Sequence, residues 1–164
     1  MADRYDKLNH NTVLASVGSM SRRWPEAIYV PKPHNIEDFY TVEAAGGLVL
    51  ADEMGAAITQ TTILMNAIRT TSYLEPEDLP EQTLKAMRNE LIGERPPSAI
   101  DAIAQIIEIN DEVYSRLKGL RMADWKNEAT QQGTTISMSD LAKGVSRVNA
   151  ERLARATRTL ASVN

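Results

Sequence analysis

Two histidines, His10 and His34, are the first residues to weigh, because imidazole is the side chain most often used for metal binding and proton transfer at neutral pH. Both lie outside the helical stripes described below. A metal site inside a helical protein draws its ligands from facing helices, commonly with Glu-x-x-His pairs, and no such pair occurs here. His34 beside Glu37 or Asp38 could hold a surface ion, but a lone loop histidine reads first as a solvated one. The carboxylates Asp101, Glu108, Asp111 and Glu112 set Glu108 and Glu112 one turn apart, which invites a di-metal site. They fall off the apolar stripe, however, and read as a solvated helix face. No phosphate-cradling glycine loop, Gly-x-Ser-x-Gly elbow or Ser/His/Asp set stands in a credible context. Gly46-Gly47 ahead of a helix could favour an anion, yet a tight turn explains the pair better. Cysteine is absent, which removes disulfides, thiolate ligands and cysteine nucleophiles and fits a reducing compartment. No catalytic residue emerges, and neither a metal nor a cofactor is expected.

Polar residues inside apolar stripes carry more information. Thr61, Asn110 and Asn149 occupy core-facing register positions. A buried amide without a partner costs about 1–3 kcal/mol, so such residues bond to one another, to water or to a ligand. The bland reading is a satisfied core network, and the functional one is a small pocket between helices. Met20, Met54, Met65, Met87 and Met138 divide in the same way, between core filling and an adaptable binding surface, with core filling preferred where aromatics are few.

The elements that must position these residues follow from periodicity. Gly47 to Thr70 carries the longest helical stripe, with Leu50, Met54, Ala57, Ile58, Thr61, Leu64, Met65 and Ile68 at steps of three and four. Val13, Leu14, Val17, Met20 and Trp24 mark a helix over about 12–24, with Asn11 as its N-cap and Pro25 as its end or a kink. Residues 27–45, with Pro31, Pro33, Phe39 and Tyr40, read as an extended connection pinned across one end by its aromatics. Pro80 suits the first position of a short helix over about 81–92, with Leu84, Met87, Leu91 and Ile92 on one side and Gly93 as its stop. A Ser98-x-x-Asp101 pattern opens a helix over about 98–118, and Ser137-x-x-Asp140 opens one over about 138–162. Between those two, Leu120 to Ile136 reads as a long connection with Trp125 and Gly133. The expectation is an all-α chain: a four-helix bundle in one domain over 1–164, with one short extra helix and long connections.

A length of 164 residues suffices for a core without staples, and 43% hydrophobic with 24% charged residues is the balance of a globular protein. The net charge of −4 argues against a general nucleic-acid binder, which needs a basic face to displace counterions from phosphates. No signal-peptide pattern opens the chain and no apolar run reaches about 18 residues, so a soluble cytoplasmic protein with no membrane role is expected.

The run ADWKNEATQQGTTISMSDLAKGVSRVNAERLARA, Ala123 to Ala156, resembles the C-terminal end of DinB-like proteins, including the mycothiol-dependent maleylpyruvate isomerase group. GLVLADEMGAAI resembles their second helix. The resemblance covers about a third of the chain and implies an up-down-down-up bundle. It also implies a site: the family's metal-binding histidines would fall at Ala57, Asn149 and Leu153, none of which can offer an imidazole. A metal-free relative that kept the scaffold is the reading this implies, since fold alone does not carry function. Its ligand pocket would lie at Ala57, Thr61, Asn149, Arg152 and Leu153, for a small molecule or a protein partner, in a homodimer. The alternatives are a thiol-dependent transferase or isomerase, with Arg147 and Arg152 holding an acidic substrate, and a regulatory interaction module using Ile28 to Tyr40, with Phe39 and Tyr40 as contacts.

Overall fold

The computed structural model describes residues 2–31, 35–73 and 77–163, with side chains from residue 9 onward. His34 and Pro33, and residues 74–76 of the loop before Pro80, lie outside the described residues. The elements in chain order are α1 (Ala2–Tyr29), α2 (Ile36–Phe39), α3 (Leu50–Thr71), α4 (Thr83–Met87), α5 (Ala99–Lys118), β1 (Glu128–Gln131), β2 (Thr134–Ser137) and α6 (Met138–Ser162). The chain is mostly helical, as the periodicity requires. Among the described residues no helix is long and apolar enough to cross a membrane.

The four long helices share their contacts in a ring, α1 and α3 each packing against both α5 and α6. Their apolar faces form two core halves. Val17, Leu64, Met65, Ile68, Val113, Leu117, Val145 and Val148 belong to the first half. Met20, Trp24, Leu50, Met54, Ile103, Ile106, Leu153 and Ala156 belong to the second. Residue numbers therefore give directions: α1 and α6 run from the first half into the second, whereas α3 and α5 run from the second into the first. Thr61, Asn110 and Asn149 sit at the boundary between the halves on their respective helices.

Helix α1 departs from the sequence reading at both ends. It begins before Asn11, which is therefore not its cap, and it continues through Pro25 to Tyr29. Proline at this position forfeits the bond to the Ser21 carbonyl, a penalty of about 3 kcal/mol in a free helix. Met20, Trp24 and Ile28 are all fully buried at successive i, i+4 positions, and each contributes about 1.5–3 kcal/mol of apolar burial. That burial outweighs the proline. The same extension puts His10 on a helix, where it is buried with its ring stacked on Trp125, 4.4 Å between centroids and 11° between planes. It is a packing residue of α1, not a loop histidine.

Residues 27–45 are not wholly extended, since α1 fills the start and α2 adds a turn. The aromatic pin is Tyr40. It is buried, its hydroxyl donates to the Pro96 carbonyl at 2.7 Å, and burial together with the nearby Glu37 carboxylate pushes that hydroxyl up to about 12. Glu37 also reaches the start of α5: its carboxylate oxygens accept from the amides of Ala99 and Ile100, each at 3.0 Å. Ser98 caps the same turn, accepting from the Asp101 amide at 3.1 Å. So the hydroxyl does what the local pattern predicts, while the carboxylate comes from 62 residues away. At α6 the local pattern is complete, Ser137 and Asp140 forming a reciprocal box.

The short helix expected over 81–92 is only Thr83–Met87. Asn89 ends it. With φ at +59° Asn89 adopts the left-handed conformation, its amide bonds the Ala86 carbonyl and the Glu90 amide bonds that of Lys85, which is the Schellman arrangement. Leu84, Met87 and Leu91 still pack on the core, but Ile92 is 86% exposed. Pro80 precedes the helix instead of starting it, with its carbonyl accepting from the Thr83 amide at 3.0 Å. Within the mostly helical chain, the expected connection 120–136 holds a small hairpin, β1–β2. Its two-residue loop, Gln132-Gly133, has φ of +48° and +85°, as a primed turn demands. Four-residue strands carry too little alternation to stand out in a sequence. The hairpin braces α4: Gln131 accepts from the Leu84 amide at 2.9 Å and donates to the Glu81 carbonyl at 2.8 Å.

Beyond α4 the chain runs against α3 at two glycines. A Cβ on Gly93 would sit 2.3 Å from both the Gly55 carbonyl and the Thr59 hydroxyl, and one on Gly55 would sit 2.5 Å from the Glu94 carbonyl. Gly93→Ala is expected to lower stability by about 1–3 kcal/mol in a urea titration, because the obstacle is helix backbone that cannot move aside. An unchanged midpoint would mean that this segment floats free of α3.

Candidate functional site

Asn149 of α6 makes the central polar contacts. Its carbonyl oxygen accepts from the Trp24 indole at 3.1 Å and from the Asn110 amide at 3.0 Å. Its own amide donates to the Thr61 hydroxyl at 3.3 Å and to the Val145 carbonyl at 2.9 Å. One side chain thus links α1, α3, α5 and α6 between the two core halves, and every hydrogen-bonding position on it is taken. Asn110 gives its second proton to the Ile106 carbonyl, and its own carbonyl oxygen, buried, has no partner among the described residues.

The residues predicted to line a pocket are therefore brought together, but as packed core. Ala57, Thr61 and Asn149 are buried, and Leu153 lies at the wall of a shallow groove between α1 and α6, with Arg23, Ala27, Ala150 and Ala154. Arg152 points elsewhere. It is 7% exposed and pairs with Glu53 of α3, itself 2% exposed, at 3.0 Å. Arg155 approaches the same Glu53 oxygen at 2.9 Å. Arg152 also donates to the Asn89 side chain at 2.6 Å and to the Leu91 carbonyl at 3.1 Å. Gln60 completes this second cluster, donating to Asn89 at 2.7 Å and accepting from the Leu91 amide at 2.9 Å.

Glu53, Gln60 and Asn89 escaped the sequence reading although a signal existed. Glu53 and Gln60 lie within the apolar register of α3, three residues from Leu50 and Ala57, and an acid there implies a buried cation opposite. The pairing itself spans 99 residues, which no local pattern reveals. Arg147, weighed with Arg152 as a clamp for an acidic substrate, is exposed and lines a different cleft, between α4 and α6, with Leu84, Met87, Arg88, Asp140, Lys143 and Gly144.

The α5 carboxylates behave as a solvated face. Glu108 is exposed, Asp111 accepts from Ser21, and Glu112 pairs with Arg69. Met20, Met54, Met65 and Met138 are core, and Met87 is half-buried in the α4–α6 cleft.

The metal that the DinB-like resemblance implies does not fit these residues. Ala57 and Leu153 carry no donor atom, and the one oxygen of Asn149 already accepts two protein hydrogen bonds. Among the described residues no three His, Cys, Asp or Glu side chains are close enough to share an ion. No protein-family model, curated protein or solved structure matches the chain.

Proposed function

We propose that the chain is a metal-independent binding protein built on a four-helix bundle of the DinB-like, up-down-down-up type, acting in the cytoplasm without nucleic acid or membrane. The opposed directions of α1 and α6 against α3 and α5 support the topology. The observation that carries the function is Asn149: where the resemblance would place an imidazole, the side chain spends all its hydrogen bonds on four helices and leaves none for an ion. The role left to such a scaffold is recognition of a small molecule or a partner at its surface, in a homodimer.

The thiol-dependent alternative needs Arg147 and Arg152 to act together, and they face different surroundings, Arg152 being spent on Glu53, Asn89 and Leu91. Of the two contacts named for the interaction-module alternative, Tyr40 is buried and bonded to Pro96, whereas Phe39 is half-buried. Metal analysis of the purified protein tests the main reading. Zinc and nickel are expected far below one equivalent, and excess of either should leave the melting temperature unchanged. A saturable rise, of the size that about 2.7 kcal/mol of binding linkage produces at a hundredfold excess over Kd, overturns it.

A further inference from the structure

The cleft between α4 and α6 has a volume of about 250 Å³ and is lined by Leu84, Met87, Arg88, Asp140, Lys143, Gly144 and Arg147. Three of those side chains are cations, in a protein whose net charge is −4. None of the three forms an ion pair among the described residues, although six other arginines do. Lys143 and Arg147 stand one turn apart on α6, an arrangement in which like charges repel. On α6 the acids nearest in sequence are committed. Asp140 accepts from the Ser137 amide at 3.2 Å in the box that opens α6, and Glu151 accepts from Asn89 at 2.9 Å.

Between these cations the floor is apolar and built closely. A Cβ on Gly144 would lie 3.2 Å from Met87 and 3.4 Å from Leu64, so α4 rests directly on α6 and the cleft has a fixed bottom of Leu84, Met87 and Gly144. Gln131 of the hairpin holds the start of α4, and the Arg152–Asn89 bond holds its end. The cations are thus carried on elements that are themselves braced at both ends.

We infer that this cleft binds a small doubly charged anion with an apolar substituent, of the phosphate-monoester class. The planar, forked guanidinium groups of Arg88 and Arg147 can each donate two parallel hydrogen bonds to a pair of phosphate oxygens, and Lys143 adds a point charge. Net of Asp140 the lining carries a charge of two, the charge of a phosphate monoester at neutral pH. The volume is below the range of about 300–1,000 Å³ typical for drug-sized ligands, so the substituent is a few carbons or one ring, seated on Leu84 and Met87. The inference rests on the chain being a binding protein and on nothing about metal. Stoichiometric zinc would overturn the earlier reading and leave this one standing.

An NMR titration of the ¹⁵N-labelled full chain at low ionic strength, with phenyl phosphate as probe and inorganic phosphate and phenol as controls, tests it. Phenyl phosphate is expected to shift amides of 84–88 and 140–147 saturably, to bind more tightly than inorganic phosphate, and to leave phenol without effect. The double variant Lys143→Gln/Arg147→Gln should weaken binding at least about tenfold, and Lys126→Gln, elsewhere on the surface, less than about twofold. Arg88→Gln on the facing element should weaken it as well, and melting curves establish that each variant is folded. Unchanged affinity in the folded double variant, shifts confined to other residues, inorganic phosphate binding equally well, or no saturation by about 10 mM would each overturn the proposal.

Discussion

Asn149→Leu is expected to reduce unfolding free energy by about 2–5 kcal/mol, with an unchanged denaturant slope. Leucine keeps asparagine's branching and number of side-chain heavy atoms, so the main loss is polar, with some overpacking from its bulkier methyls. The Trp24 indole N–H and one Asn110 amide proton would be left buried without acceptors, each costing about 1–3 kcal/mol, while Thr61 can rotate its hydroxyl and the Val145 carbonyl keeps its helix bond. Asn110→Leu provides the internal comparison. It deletes a carbonyl oxygen that has no partner among the described residues, so its cost should be clearly smaller. Combining the two removes the orphaned Asn110 proton, and the double variant should be less destabilised than the sum of the singles. Equal effects of the two single changes in urea unfolding would show that Asn149 is not the hub.

Arg152→Met should cost about 3–5 kcal/mol, the range for breaking a buried ion pair from one side. The loss is shared between two places. Glu53 keeps Arg155, which is partly exposed and screened, while the Leu91 carbonyl loses its side-chain donor and the Asn89 side-chain oxygen is left with Gln60 alone. The segment from Asn89 to Gly93 should therefore loosen before the rest of the fold, which amide hydrogen exchange at Leu91 would register as lost protection. Glu53→Met combined with Arg152→Met should recover part of the stability, because a buried pair replaced as a unit by apolar side chains leaves no stranded charge. If the double variant is no better than Arg152→Met, the cost comes from the Asn89 and Leu91 contacts and not from Glu53.

Both predictions depend on residues that were only half legible. Thr61, Asn110 and Asn149 announced themselves as polar residues in apolar register, and the core-network reading of them matches the bonds observed, save that the Asn110 carbonyl oxygen has no partner among the described residues. That Asn149 is the hub, with Trp24 as a fourth member, required the coordinates. Arg152 was visible as a cation in the last stripe, but its partner Glu53 and the Asn89 turn it holds were not.

What the sequence determined by itself is whatever a few consecutive residues encode. The stripes of α3, α5 and α6 set those helices to within about three residues, and Ser137 with Asp140 closes its box because both groups lie on one turn. Tertiary structure decided everything that opposes a local preference or joins distant segments. Burial of Met20, Trp24 and Ile28 carries α1 through Pro25, Glu37 replaces a local carboxylate at the start of α5, and backbone packing at Gly55 brings Gly93 against α3. The convergence of Arg88 with Lys143 and Arg147 belongs to the same class. Periodicity is a property of one helix, whereas a cleft or a buried pair depends on which helices lie side by side.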